Sequence, residues 1–581
     1  MVKVHQIFDN LQTAVPGVYF KQRFPTAVGA GTVPQISVVL GTSRGGVPYN
    51  AADVAEQDRL IRLTSVPDAL DLLRGGDAYY GCEFYMNPHN EDTLSKPLEV
   101  GFLMVNPATR STSSLQNVAP ADVIDLKSTR FGAYANQLTR KITAGTSAGY
   151  WASVKLGETE WEQDDISLDL MSMRYVGTGT AATMTITSTT LSTTVTAGPG
   201  GENLTLTLAD YENLAQLVEV INTQTAYTCF LETSSSEKAD LFDAISAVDI
   251  LTAEYTALGD VEALIRWLNG RTDSEVIASL STGAERDPIV PDAGYVFFTG
   301  GADGAASISD WTGALEVLSR DNRVRWIGVA SGDPAVHTVV RDHVRAMSTE
   351  VLMKHRQMST GCTASLTAKA DRIRAARAVT CARAEYFYQS FTRYDYPNNV
   401  NNKEFPPYLA AFMAAGTRHG NQITTSAERK FMNVLGVPEV INDTDLEEYT
   451  RAGLSTLAPS DGQVELRANV TTHQGDSELL TLPSAVRTSD EVTLRVKAAI
   501  ERRIAKLPDA GSNTLADDFN NWIRSSLLKS FSENTSGSAP LARDFTEVQF
   551  SGTSTSWTLS YVCKVAVGPR FVSGVHNYIT G

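Results

Sequence analysis

The sequence predicts a multidomain protein of mixed class, α/β plus β. A chain of 581 residues exceeds what one hydrophobic core organises and divides into several structural units. From Pro288 onward, strand and helix signals follow one another in the order of an α/β domain. Between Thr139 and Leu191 strand signals predominate, and Thr, Ser and Gly are dense from Gly177 to Gly201, which points to an exposed all-β module.

Composition excludes several classes. The hydrophobic fraction of 42% and the charged fraction of 20% are those of a soluble globular chain. No apolar run approaches a membrane span, and Met1 to Asn10 has no secretory or transit signature, so folding in the cytoplasm is expected. Cys82, Cys229, Cys362, Cys381 and Cys563 are odd in number and scattered, without C-x-x-C spacing. They read as reduced core residues rather than a disulfide framework or a zinc site. With 49 basic against 66 acidic residues, the net charge of -17 opposes wrapping of nucleic acid by the overall field, and any basic patch is local.

The elements follow in order. Ala14 to Phe20 is a short extended run. Pro34 to Leu40 reads as a buried strand, closed by the glycine-rich turn Gly41 to Gly46. Ser65 to Leu73 begins a helix with proline near its start, and Pro97 to Val105 is a second buried strand. Tyr150 to Lys155, Ile166 to Leu170 and Thr183 to Ile186 are the clearest strands of the β-rich region, and Asp210 to Asn222 is a helix. Tyr295 to Phe298 is expected as a buried strand leading into the turn Thr299 to Gly304. Helix Ile308 to Leu318, strand Val324 to Val329, and helices Ala335 to His355 and Leu366 to Tyr388 come next. Pro406-Pro407 precedes an apolar helix from Tyr408 to Gly416. Leu446 to Ala452 is a short helix and Val464 to Val470 a strand. Glu491 to Lys506 is an amphipathic helix opened by a Thr488/Glu491 capping box, and Leu515 to Phe531 another helix.

At the C-terminal end Trp557, Leu559, Tyr561, Cys563, Val565 and Val567 alternate with a more polar set, and a second extended piece runs from Phe571 through Tyr578. Backbone groups of terminal apolar strands need partners, either within their own subunit or in a neighbour whose sheet they complete. Both remain open on the residues alone.

Motifs for chemistry are weak. Gly145 to Gly149 fits G-x-S-x-G around Ser147, but its flanks read as a β-hairpin rather than the strand-to-helix elbow that exposes a nucleophile. The Gly300 to Gly304 turn sits where phosphate loops occur yet lacks a G-K-[ST] ending, and Asp303 is expected to cap local amides. His337 and His343 fall on different helix faces, so no metal is expected, and His419-Gly420 has no accompanying triad motifs. Lys369, Arg372, Arg374, Arg377 and Arg383 form a basic run without interleaved aromatics, suited to solvent or an acidic protein. Arg495, Arg502 and Lys506 lie at i, i+7 and i+11 along one line of the surface, while Val492, Val496, Ala499, Ile500 and Ile504 form an apolar stripe.

The order of several short motifs resembles the contractile tail sheath proteins of myovirus-type bacteriophages and related contractile injection particles. They are Pro16-Gly17-Val18-Tyr19, the turn Gly41 to Gly46, and Phe131-Gly132 with Asn136, where Ala135 replaces a second glycine. Asp165-Ile166 with Tyr175-Val176-Gly177, the turn Thr299 to Gly304, and Pro406-Pro407 with Ala410-Ala411 and Ala414-Ala415-Gly416 continue the series. Ala452-Gly453-Leu454 and Val470-Thr471-Thr472-His473 complete it. The resemblance implies a subtilisin-like α/β core without a catalytic triad (286–420, with 26–125 packing on it) and an outer β-sandwich module (126–285). It further implies an α+β C-terminal domain facing the tail tube (421–550) and strand-exchanging arms (1–25 and 551–581). Pro16, Gly17, Val18, Tyr19, Tyr561, Val565, Phe571 and Tyr578 would form the inter-subunit arms. Arg495, Arg502 and Lys506 are candidates for the tube contact. The implied function is structural: stacked hexameric rings around the tail tube, in the virion, contracting to drive the tube through a host envelope. The partners would be other copies of the chain, the tube protein, and baseplate and tail terminator proteins, with no cofactor, nucleic acid or membrane insertion. The competing reading is a serine hydrolase using Ser147 or the Asp303 turn.

Overall fold

The computed structural model of the chain describes residues 6–8, 11–13, 35–198, 202–270, 274–349, 352–475, 477–504, 521–532, 540–552 and 557–566. Its contacts divide into two compact units, one of residues 36–486, the other of residues 1–35 with 487–581.

The larger unit is built on the strand Ile36–Gly41, almost wholly buried. Its side chains alternate between two cores: Ile36, Val38 and Leu40 enter one, Val39 the other. This is the signature of a sheet covered on both faces. Six strands form the sheet in the order Ala384–Phe387, Gln357–Gly361, Val324–Ala330, Ile36–Gly41, Val100–Met104, Ile61–Leu63. The first five are parallel and the last is antiparallel. In chain order the parallel strands lie 2-1-3-4-5, a doubly wound arrangement. Helices Asp77–Met86 and Pro407–His419 share the core of Val39. Ile308–Arg320, Pro334–Met347 and Lys369–Val379 share that of Val38 and Leu40. The helix expected from Ser65 runs Val66–Leu73, and Ser65 caps it by accepting from the Asp68 amide at 3.2 Å.

A long insertion separates the strands Val100–Met104 and Val324–Ala330. It holds four antiparallel sheets of three or four strands. Two cores serve them, one around Leu126, Ile142, Val154 and Leu264, the other around Met173, Met184, Leu217 and Phe242. The mixed α/β and β character is therefore as the sequence predicts.

Several expectations are corrected. Tyr295 to Phe298 is not a buried strand of the α/β sheet. Val296–Phe297 pairs antiparallel with Leu138–Ala144 at the edge of an insertion sheet, Phe297 is 63% exposed, and only Phe298 is buried. The helix expected over Ala335 to His355 ends at Met347 and is followed by the strand Gln357–Gly361. That expected over Leu366 to Tyr388 ends at Val379, and Ala384–Phe387 is a strand. Both strands are short and contain polar residues, and parallel pairing with the sheet outweighs their weak local signal. The run Ile166 to Leu170 is broken between Thr159–Ile166 and Asp169–Tyr175. The helix expected from Glu491 starts at Pro483, so Thr488 is a buried interior residue rather than a cap. Proline at a first helical position and the buried Ala485 and Val486 extend the helix N-terminally.

In the smaller unit, Gln6–Phe8 pairs antiparallel with Leu11–Thr13. The helix that starts at Pro483 contributes its part from Arg487 to Ile504. A helical stretch covers Ile523–Leu527 and Leu528–Ser532. Ala542–Gly552 and Trp557–Val565 form a hairpin. Among the described residues no helix is long and apolar enough to cross a membrane. Cys82, Cys229, Cys362 and Cys381 are buried free thiols, and Cys563 is half-buried.

Candidate functional site

Three of the short motifs meet at one place, at the C-terminal ends of the central strands. Ligands of open α/β sheets bind near that end; here the turn Gly300 to Gly304 is bonded to Asn106, just past one of those strands. Asn106, just past the strand Val100–Met104, accepts from the Ser43 amide (3.1 Å) and donates to the carbonyls of Ser43 (3.0 Å) and Asp303 (2.5 Å). Thr109 Oγ1 donates to Gly300 O (2.9 Å) and accepts from the Ala302 amide (3.0 Å). Asn136 bonds Gly301 in both directions at 2.8 Å. Asp303 does not cap its own turn. Its Oδ1 accepts from the distant Ala133 amide at 2.7 Å, which corrects the local-capping expectation. Gly132 holds φ +101°, and a Cβ there would lie 2.4 Å from Arg44 O and 2.8 Å from Asp303 Oδ1. The amides of Gly301 and Ala302 are thus committed to side chains of this chain, and the arrangement staples the long insertion to the sheet.

A second meeting of motifs lies beside the strand Ala384–Phe387. Gly453, at φ +84°, passes so close to Thr471 and Thr472 that a Cβ would lie 2.7 Å from Thr472 Cα. Thr472 N donates to Ala384 O and Ser455 N to Tyr386 O, extending the strand's hydrogen bonding. Beneath it Arg418 grips Glu385 with two bonds of 2.6 Å, both groups buried. Asn469 donates to Glu385 (2.8 Å) and accepts from Arg418 (2.9 Å), and Ser359 Oγ donates to Glu385. Trp326 Nε1 completes the chain on Ser359 at 2.8 Å. Sequence reasoning passed over this network. Its trace is the arginine in an otherwise apolar helix, and the asparagine after a strand is the matching trace for Asn106.

Ser147 sits exposed in the turn of the hairpin formed by Leu138–Ala144 and Tyr150–Leu156. Its amide and that of Ala148 donate to Asp165 Oδ1 (2.7 and 3.1 Å), and Thr146 donates to Asp164. Those bonds use the amides an oxyanion would need. His337 is buried, with Nε2 2.8 Å from Ser331 O and 2.9 Å from Thr360 Oγ1, and burial pushes it down to about 4. Burial, then the Arg356 charge, pushes His343 to about 3. His419 Nδ1 lies 3.0 Å from Ser37 Oγ and 3.2 Å from Tyr85 OH. Ser37 is near the N-terminal end of its parallel strand, the end opposite to that where such sheets bind ligands. Among the described residues no group of three His, Cys, Asp or Glu side chains is placed to hold a metal ion. The basic run is dispersed: Lys369 is held between Asp445 and Glu448, Arg372 is buried against Glu439 (2.8 Å), and Arg383 lies beyond the helix end.

In the terminal hairpin Leu559, Tyr561, Cys563 and Val565 are half-buried while Val562 and Lys564 are exposed, the alternation the sequence shows. Tyr561 packs edge-on against Phe545 at 5.5 Å, and Val565 pairs with Ala542. Arg495 donates to Glu491 at 2.6 Å, and Gln35 donates to the same buried carboxylate at 2.5 Å. Pro16, Gly17, Val18, Tyr19, Lys506, Phe571 and Tyr578 lie outside the described residues. So does the side chain of Arg502, whose backbone is helical.

No protein-family model matches the chain. It is 26% identical over 511 residues to the tail sheath protein of Bacillus phage SP01, covering 84% of this chain and 85% of that one. Its fold is similar to that of the sheath tail protein from Desulfitobacterium hafniense, with a TM-score of 0.50 at 12% identity over 95% of this chain and 100% of the other. A sheath tail protein from Listeria innocua aligns with a TM-score of 0.46 at 12% identity, over 86% of this chain and 84% of that one. The resemblance to tail sheath proteins read from the short motifs is borne out by the alignment with the phage SP01 protein, and the fold is similar to the Desulfitobacterium hafniense one.

Proposed function

We infer that this chain is a structural subunit of a contractile phage tail sheath, a component of the virion. The observation that carries this reading is the alignment with the Bacillus phage SP01 sheath protein over most of both chains. The committed amides around Ser147 and in the Gly300 to Gly304 turn support a role without catalysis. In this reading copies assemble in the host cytoplasm as stacked hexameric rings around a tail tube, between baseplate and terminator proteins. Contraction slides subunits past one another, which requires connections that survive the motion, and main-chain pairing by terminal arms suits that need. Pro16, Gly17, Val18, Tyr19, Tyr561, Val565, Phe571 and Tyr578 are the arm residues of this proposal. The doubly wound sheet would be the subtilisin-like core, the insertion the outer β-sandwich module, and residues 421–550 the side facing the tube. Arg495, Arg502 and Lys506 would touch the tube, Arg495 through whatever charge its bond to Glu491 leaves unbalanced.

Negative-stain microscopy of the purified full chain tests this. Long hollow tubes are expected. A chain that stays monomeric at every concentration tried refutes it. Deleting residues 571–581 is expected to leave a folded subunit that no longer forms tubes.

A further inference from the structure

One surface of the larger unit departs from the acidic character of the chain. Helices Lys369–Val379 and Asp443–Arg451 enclose an open groove of about 590 Å³, with Ala370 and Ile373 as its apolar part and Arg374, Arg377 and Arg451 around it. The side chains of Arg374 and Arg451 are 79% and 78% exposed, and Arg377 is exposed too. Their within-helix partners, Asp371 and Glu447, hold them only through exposed pairs, which exchange readily because such pairs contribute little. Among the described residues one carboxylate lines the groove, Glu448, which shares Lys369 with Asp445. In a chain of net charge -17, a depression bordered by three available guanidinium groups is fitted to carboxylates.

The same unit carries the complementary surface. The strand Thr159–Ile166 is outermost in its four-stranded sheet, and among the described residues no strand pairs with its outer edge. Glu158, Glu160, Glu162, Asp164 and Asp165 are all exposed along it. Asp164 and Asp165 are occupied by the neighbouring turn. Glu160 and Glu162 point to one face, and bonds from Tyr295 and Ser153 hold the Glu160 carboxyl below its usual range and therefore ionised. The cation paired with this row is Lys155, 3.9 Å from Glu160. Charges on a strand edge block its zipping to another strand, so a contact here is made by side chains.

We propose that the arginine groove between helices Lys369–Val379 and Asp443–Arg451 docks the acidic edge strand Thr159–Ile166 of a second copy of this chain. The proposal rests on the self-assembling sheath reading above. Groove and edge lie on different elements, so the contact is heterologous, the kind that propagates into rings or open helical polymers rather than closing as a dimer. A single such contact is weak, and a polymer repeats it in every copy. Nucleic acid suits the groove less well, since among the described residues those lining it include no aromatic side chain on which a base could stack.

Charge exchange between the two surfaces tests this with the full chain. R374E/R377E/R451E and, separately, E158K/E162K are each expected to keep the wild-type melting temperature. Each should raise the concentration needed for polymerisation by about 10-fold or more at low salt. The chain carrying both sets, and an equimolar mixture of the two singly exchanged chains, should polymerise again within about 3-fold of wild type. Should the arginine-to-glutamate chain fail to fold, R374Q/R377Q/R451Q is read instead, with a loss in the same direction expected. Polymerisation of either exchanged chain at the wild-type concentration overturns the contact. So does failure of the folded doubly exchanged chain to recover, or a loss confined to the groove variant that RNA or DNA competes for. A wild-type chain that never polymerises refutes the sheath reading itself, and this contact with it.

Discussion

Replacing Arg418 by methionine would leave Glu385 buried with only Asn469 and Ser359 as donors, because both guanidinium bonds of 2.6 Å disappear together. Breaking a buried pair from one side costs about 3–5 kcal/mol, since the remaining charge stays desolvated. The unit that holds the pair spans roughly 450 residues. At ~2.1 cal/mol/K of unfolding entropy per residue, its melting entropy is ~0.9 kcal/mol/K. Arg418→Met is therefore expected to lower its melting temperature by about 3–5 °C in scanning calorimetry at neutral pH. Removing both partners, as Arg418→Met with Glu385→Leu, should recover most of that loss, because replacing a whole buried pair by apolar groups is often neutral. If the single variant melts with the wild type, or the double variant melts lower still, the pair is not the internal tie described above.

Gly132→Ala should destabilise the joint between insertion and sheet by about 1–3 kcal/mol through its positive φ alone, and by more through the contact with Arg44 O. Faster amide exchange at Ala133 and Gly301 would report it, and unchanged exchange would contradict it. Asp243, which accepts from the Asp260 and Val261 amides, is pushed up to about 7, chiefly by burial. Its folded form holds a proton that the unfolded chain has lost, so this group lowers stability as pH rises from about 4 to about 7 and adds no slope above that. Asp243→Asn removes the titrating group but leaves one oxygen where the carboxylate uses two, one for each amide, so it should flatten that part of the profile while lowering the melting temperature at acid pH; a profile parallel to wild type would dismiss the assignment. Ser147→Ala should change stability by less than ~0.5 kcal/mol and leave tube formation intact, whereas an esterase activity that it abolishes would overturn the non-catalytic reading.

Much of the architecture was legible in local pattern. The apolar runs Pro34 to Leu40 and Pro97 to Val105 mark the two buried parallel strands, and Ser65 with its following proline marks a helix start, because burial on both faces and capping each leave a signal within a few residues. The hairpin context of Ser147 was also local. The motif series identified the resemblance without revealing why those residues recur, since Arg44, Gly132 and Asp303 are far apart in the chain and touch only when it is folded.

What only the tertiary structure decided are the cases where a distant partner outweighs local preference. Gln357–Gly361 and Ala384–Phe387 contain residues as polar as Ser359 and Glu385 and are nevertheless buried, because Arg418, Asn469 and Trp326 arrive from elsewhere to satisfy them. Tyr295 to Phe297 reads as a core strand and lies exposed at a sheet edge, because the interior positions are taken by other strands. Length, charge and apolar periodicity are properties of neighbouring residues, and the sequence by itself determined those. Which polar groups are buried, and which apolar strands remain outside, depends on hydrogen bonds and contacts between residues hundreds of positions apart, and that only the folded chain decided.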